Sequence, residues 1–188
     1  MAKYTVIYDA CVLYPAPLRD LLMHLALTDL FKARWTDQIH EEWINALLRR
    51  EKYDRTILER TRDLMDAGVR DAKVTGYEGL IDSLDLPDKD DRHVLAAAIK
   101  SGANAIITSN LKDFPYCELS KYGIEAIHPD DFIFYQIDLA PAVTCVAIKR
   151  QRHSLKNPKK TVDEFLAILQ NQQLPQTVSA LKAYIDLL

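Results

Sequence analysis

The 188-residue chain carries 24 Lys and Arg against 27 Asp and Glu, with five Gly, eight Pro, three Cys and 48% hydrophobic residues. That balance excludes a disordered, collagenous or low-complexity chain and fits one core of ordinary size with a small appendage, no disulfide being needed. Taken as an average, the formal net charge of −3 speaks against a nucleic-acid partner, since phosphate binding leaves a basic footprint. No apolar run approaches the roughly 18 residues of a membrane span, and Met1-Ala-Lys-Tyr4 leads directly into a strand-like segment, so neither export nor membrane insertion is expected. Cys11, Cys117 and Cys145 are odd in number and widely spaced, with no Cys-x-x-Cys pair. A reduced, cytoplasmic protein is the reading that fits.

In chain order, Lys3 to Tyr8 alternates and is β-branched, which predicts a short buried strand delivering Asp9 at its carboxyl end. From Pro17, Leu18, Leu21, Leu22, Leu25, Leu30 and Phe31 recur at helical spacing behind a proline, as helix starts favour. A second helix is predicted from Thr36 or Asp37 through Arg50, and a third, charged one from Tyr53 to Ala67, stopped by Gly68. Val69 to Ser83 is mixed, with a short strand expected around Val74 and a turn near Gly76 and Gly79. Asp91 to Ser101 reads as a helix ended by Gly102, Ala105 to Thr108 as a strand, Ile124 to Ile127 as an edge strand and Pro129 to Tyr135 as a helical turn. The last fifty residues change character: Pro141 to Lys149, Val162 to Leu169 and Val178 to Leu188 read as helices punctuated by Pro158 and Pro175. Strands alternating with helices predict an α/β fold, a parallel sheet sandwiched by helices, followed by an α-helical tail.

In such sheets the working surface lies beyond the carboxyl ends of the strands. Asp9, Glu42, Asp91, Asn110 and Asp113 are the polar residues that the predicted elements bring to that region. On the second helix Ile39, Trp43, Ala46 and Leu47 share one face; Glu41 falls opposite and Glu42 on the border, so Glu42 is the inward candidate. Asp91 heads the stripe Val94, Leu95, Ala98, which aims it at the sheet. Each alone has an ordinary reading: Asp9 and Asp113 as turn formers, Glu42 as a solvated helix residue, Asp91 as a helix cap. Taken together, several carboxylates in one pocket require a compensating cation, and an all-oxygen donor set favours Mg²⁺ or Mn²⁺ over Zn²⁺.

Other chemistries fall away. His40-Glu-Glu-Trp-Ile44 has Ile where a zinc-protease helix needs its second His, Asp9-Ala-Cys11 lacks the second Asp of an aspartyl-phosphate enzyme, and no Gly-rich phosphate loop exists. The five His residues are scattered and read as structural, with His93 notable for lying beside Asp91.

The segments Val6-Ile-Tyr-Asp-Ala-Cys-Val-Leu13, Thr36-Asp-Gln-Ile-His-Glu-Glu42, Asp88-Lys-Asp-Asp-Arg-His-Val-Leu-Ala-Ala-Ala98 and Ile107-Thr-Ser-Asn-Leu-Lys-Asp-Phe-Pro115 together resemble a PIN domain, in family order over roughly residues 3 to 136. Tyr122-Gly-Ile-Glu-Ala126, His128-Pro-Asp-Asp-Phe132 and the tail around Leu155-Lys-Asn-Pro158 and Thr161-Val-Asp-Glu164 resemble a bacterial, VapC-like branch with a helical extension. The resemblance implies a PIN-like three-layer sandwich over residues 1–137 and a helical extension over 138–188. It implies a Mg²⁺- or Mn²⁺-dependent endoribonuclease, a hydrolase of the kind found as toxins of toxin–antitoxin pairs, with RNA as substrate, an antitoxin protein as candidate partner and a homodimer as the default assembly. Carried over by position, Asp9, Glu42 and Asp91 are the metal-site carboxylates, the fourth position falls at Asn110 or Asp113, and Asp9, Glu42, Asp91 and Asp113 are the catalytic residues so implied. Ala10-Cys11 departs from the usual Thr-Asn, and Asn110 stands where relatives often have Asp, so a weakly catalytic module binding RNA or a protein is the alternative. Asp88 and Asp90 are expected as outer groups.

Residues 146–160 hold six Lys and Arg and no acid, a local +6 that leaves −9 on the rest. The modest net charge therefore averages an acidic site and a basic tail, in which Arg150, Arg152 and Lys156 are candidates for tracking a phosphate backbone.

Overall fold

The computed structural model describes residues 3–50 and 53–188. In chain order its elements are β1 (Thr5–Tyr8), α1 (Ala10–Leu13), α2 (Ala16–Ala26), β2 (Lys32–Arg34), α3 (Asp37–Arg50), α4 (Arg55–Gly68), α5 (Arg92–Ser101), β3 (Ala105–Ile107), α6 (Tyr116–Leu119), β4 (Glu125–Ile127), α7 (Pro129–Leu139), α8 (Pro141–Ser154), α9 (Val162–Asn171) and α10 (Pro175–Lys182). They form two compact units, one drawn from the chain up to Tyr14 and from Phe31 to His128, the other from Pro15–Leu30 and Pro129–Leu188. The division expected at 137/138 falls inside α7.

In the first unit four parallel strands run in the order β2-β1-β3-β4, with Val6 opposite both Ala33 and Ala105, and Ile106 opposite Ala126. The two central strands are buried along their whole length, as parallel strands covered by helices must be, and the edges are partly exposed. Helix α5 packs on β1 and β3 through Val94, Leu95 and Ala98, all fully buried, and ends at Gly102, whose left-handed φ of 63° closes the helix at little steric cost. Helices α1 and α4 pack on α3, whose buried stripe is Ile39, Trp43, Ile44 and Leu47. Because the chain passes from β1 to β2 on one side and then to β3 on the other, the order switches between β1 and β3. Open α/β sheets bind ligands at that crevice, outside the carboxyl ends.

The same unit holds a polar network in its core. His40, fully buried, accepts from Trp43 Nε1 at 3.0 Å through Nδ1, which places its proton on Nε2, 3.1 Å from Asp66 Oδ1. Trp35 Nε1 donates to the same oxygen at 2.7 Å, and Lys73 Nζ lies 3.3 Å from Asp66 Oδ2 and 2.7 Å from Asp37. Burial holds the His40 pKa below its ordinary value, the Asp66 carboxylate opposing that shift. Asp66 stays below the usual carboxylate range because bonds from Trp35, His40 and Lys73 outweigh its desolvation.

The local differences from expectation have simple causes. Helix α2 stops at Ala26, and Asp29 turns the chain at φ 63°; the apolar spacing that continues through Leu30 and Phe31 instead leads into β2, a three-residue edge strand too short to show alternation. Near Val74 there is a single bridge, Trp35 with Lys73, in place of a strand. Residues 129–139 form a three-turn helix, longer than the turn expected.

In the second unit α2 packs on α8 and α9, and α7 on α8 and α10, around Leu21, Leu22, Leu25, Phe132, Ile148 and Phe165. Buried Asp130 accepts from the backbone N–H groups of Gln176 at 2.9 Å and Thr177 at 2.8 Å, satisfying orphan donors in the first turn of α10. Thr161 and Glu164 form a reciprocal capping box at the start of α9.

Candidate metal centre

Asp9 follows β1 directly and Thr108 follows β3, so the switch between the two strands sets them side by side: Thr108 Oγ1 donates to Asp9 Oδ2 at 2.8 Å. Asp9 is 5% exposed and occupies the cap position of α1 without making a side-chain cap bond, which leaves its carboxylate aimed at the crevice. Cys11 Sγ donates to the same oxygen at 3.0 Å and accepts from Ser109 N at 3.3 Å. Burial, reinforced by the Asp9 charge, pushes the Cys11 thiol up to about 12, so it remains a protonated donor. In this chain the Ala10-Cys11 departure thus supplies a donor to Asp9 from a thiol.

Asp91 precedes α5 and likewise makes no side-chain cap bond. Half-buried, it is pushed up to about 7, first by desolvation and then by the charges of Asp9, Asp88, Asp113 and Glu42. Four other carboxylates thus lie within electrostatic reach of Asp91. The tightest trio is Asp88, Asp91 and Asp113, each offering an oxygen within 4.8 Å of the others.

The remaining expected residues fall as follows. Glu42 Oε1 lies 2.6 Å from Nε2 of His93, which is 2% exposed and has no hydrogen bond of good geometry at either ring nitrogen among the described residues. Asn110 donates from its side-chain amide to Asp113 Oδ2 and from its backbone to Thr108 Oγ1 at 3.0 Å, so it orients the group beside it. Asp88, read from the sequence as an outer group, stands in the closest trio, and Asp90 uses its backbone N–H on Asp88 Oδ1 at 2.9 Å. His93 has only its neighbour Asp91 as a signal in the sequence. In the second unit Arg150 and Lys156 are exposed, whereas Arg152 donates to the carbonyls of Lys160 at 2.8 Å and Leu188 at 3.0 Å and ties the end of the chain to α8.

The donors around Asp91 are all hard oxygens, and the burial and like-charge repulsion that raise its pKa both disfavour a bare carboxylate, which a divalent cation relieves. The residues present therefore fit Mg²⁺ or Mn²⁺.

Comparison with known proteins agrees with this arrangement. Residues 5–112 match the PIN domain, and residues 129–183 match the VapC50 C-terminal domain. Over 109 residues the chain is 40% identical to "Putative ribonuclease VapC50" of Mycobacterium tuberculosis, an alignment covering 58% of this chain and 63% of that protein. No solved structure matches. Because the PIN match runs over more than half the chain and takes in β1, the switch between β1 and β3, and the residues of the acidic crevice up to Asn110, the chain belongs to the PIN domain family.

Proposed function

We propose that the protein is an endoribonuclease that hydrolyses RNA phosphodiesters with a bound Mg²⁺ or Mn²⁺. The observation that carries this reading is the carboxylate cluster at the sheet's switch point, with Asp91 pushed up to about 7 by burial and then by the charges of its neighbours. Asp9, Asp91, Asp113 and Asp88 would hold the ion. When bound, it lowers the pKa of a coordinated water and offsets charge developing on the phosphate oxygens. Asn110 fixes the Asp113 carboxylate, and Cys11 and Thr108 fix that of Asp9. Glu42 has one oxygen against His93 and the other without a protein partner among the described residues, which suits it to take a proton from the attacking water.

The name of the Mycobacterium tuberculosis relative supports RNA as substrate, and the VapC-like branch supports a toxin role with a protein antitoxin and a second copy of this chain as partners. No helix among the described residues is long and apolar enough to cross a membrane. The alternative of a weakly catalytic module rests on Asn110; against it, Asp88 restores to the cluster the charge that Asn110 lacks.

The test is cleavage of single-stranded and structured RNA by purified protein with Mn²⁺ or Mg²⁺. Chelator or Asp91→Asn is expected to reduce the rate roughly 100-fold or more. Cleavage indifferent to both, or no cleavage of any RNA, overturns the reading. Light scattering of the purified chain checks whether two copies assemble.

A further inference from the structure

The first unit contains a cleft of about 620 Å³ whose lining includes Cys11, Tyr14, Glu42, Trp43, Arg49 and Arg50. That is the size of a small-ligand pocket, about 300–1,000 Å³. Two of its lining residues reach the acidic crevice: Cys11 donates to Asp9, and Glu42 is among the charges acting on Asp91. Along α3, Arg49 and Arg50 stand about 11 Å from Glu42, two helical turns on. They differ from two arginines of the neighbouring helix α4. Arg55 lies 2.7 Å from Glu41 and 2.8 Å from Glu59, and Arg62 lies 2.9 Å from Asp63 and 3.9 Å from Glu41. Arg49 and Arg50 are exposed and have no ion-pair partner among the described residues.

We infer that this cleft seats the part of the RNA strand flanking the scissile phosphate, with a phosphate on Arg49 and Arg50 and its base against Tyr14. The inference rests on the ribonuclease reading for the strand's identity and adds where that strand runs. Three features select a nucleotide. Guanidinium groups match phosphate oxygens in paired, planar geometry. An aromatic wall offers a stacking surface that any base can use. The cleft joins both to the carboxylates at which a phosphodiester would be cut. Basic residues in the last turn also favour the helix dipole, but lysines serve that purpose equally, and this separates the two roles experimentally.

Binding of a fluorescently labelled single-stranded oligoribonucleotide to the full chain is measured by anisotropy from low to physiological salt, with a chelator present so that nothing is cut. Arg49→Ala with Arg50→Ala is expected to weaken binding about tenfold and to flatten the salt slope by about 0.7 for each phosphate that is no longer neutralised. Arg49→Lys with Arg50→Lys keeps the slope and the fold while losing a few-fold in affinity. Tyr14→Leu is expected to weaken binding about fivefold at unchanged slope. No binding by the unaltered protein, or equal affinity and slope in the double alanine variant, overturns the inference, including the case in which an acidic protein segment occupies the cleft instead. The two readings fail separately. RNA cleavage with an unchanged KM in the double alanine variant sinks the cleft alone, whereas absence of cleavage sinks the ribonuclease and leaves the anisotropy comparison to decide the cleft.

Discussion

Two carboxylates of the first unit, Asp66 and Asp91, live in opposite surroundings. Asp66 receives Trp35, His40 and Lys73 and sits below the usual carboxylate range, while Asp91, desolvated and facing four other acids, is pushed up to about 7. Asp66 is a finished structural part in which each donor meets an acceptor. Asp91 belongs to a group whose mutual repulsion the fold tolerates, and such strain at a crevice is what a cation site requires. The difference separates stability from chemistry within one small unit, and substitutions at the two positions should move opposite observables.

The largest effect is expected at Asp66. In Asp66→Ala the indole N–H of Trp35 and the ring N–H of His40 lose their acceptor in a mostly buried place, which costs about 2–3 kcal/mol. Urea unfolding should report that loss, with kcat per folded molecule unchanged. A loss below about 0.5 kcal/mol would mean that water replaces the carboxylate and that the network is not a fixed part.

Only one side of this contrast is legible in the sequence. Asp9, Asp91, Asn110 and Asp113 can be placed because each closely follows a predicted strand or heads a predicted helix, so local pattern fixes their position at the sheet's carboxyl end. Glu42 follows from helical phase. Asp88 is harder to rank because the loop from Asp85 to Asp91 has no periodicity, and only the tertiary fold sets its distance to Asp113. The Asp66 network is invisible: its members are 26 and 31 residues apart along the chain, and His40 reads locally as one more helix residue. Arg152 shows what a local charge count leaves out, since the carbonyls it binds at Lys160 and Leu188 are beyond any local pattern. The strand β2 escapes detection for a related reason, three residues being too few to show a period.

A smaller effect, of opposite sign, is expected at Asp91. With a chelator at pH 8, Asp91→Asn removes one charge from the cluster and should raise stability by about 1 kcal/mol, a value reduced for solvent screening at a half-exposed group. The same substitution should abolish the stabilisation that Mn²⁺ gives the unaltered protein, which amounts to about 2.7 kcal/mol at an ion concentration 100-fold above its Kd. Thermal melts with and without Mn²⁺ measure both. A variant less stable than the parent in chelator would mean that Asp91 supports the fold and is not strained by its neighbours.

The smallest effect is in the pH dependence, where the two sites oppose each other. Asp91 has a folded pKa raised above its unfolded value of about 3.9, so between about pH 4 and 7 the folded, metal-free protein holds the extra proton and its stability declines as pH rises. His40 has a folded pKa lowered below about 6.5, so its contribution is complete above that pH and is lost as pH falls, when the unfolded chain takes up the proton that the buried ring refuses. In the parent protein these slopes partly cancel around pH 5 to 7. In Asp91→Asn the His40 limb is no longer offset by Asp91, and stability should rise more steeply with pH over that range. Urea midpoints at pH 5, 6, 7 and 8 in chelator read the tilt directly, and the gap between variant and parent should widen toward pH 7 and then level off. A gap that stays constant from pH 5 to 8 would show that Asp91 is already ionised at pH 5, and with it the repulsion that sets this crevice apart from the Asp66 network would have to be given up.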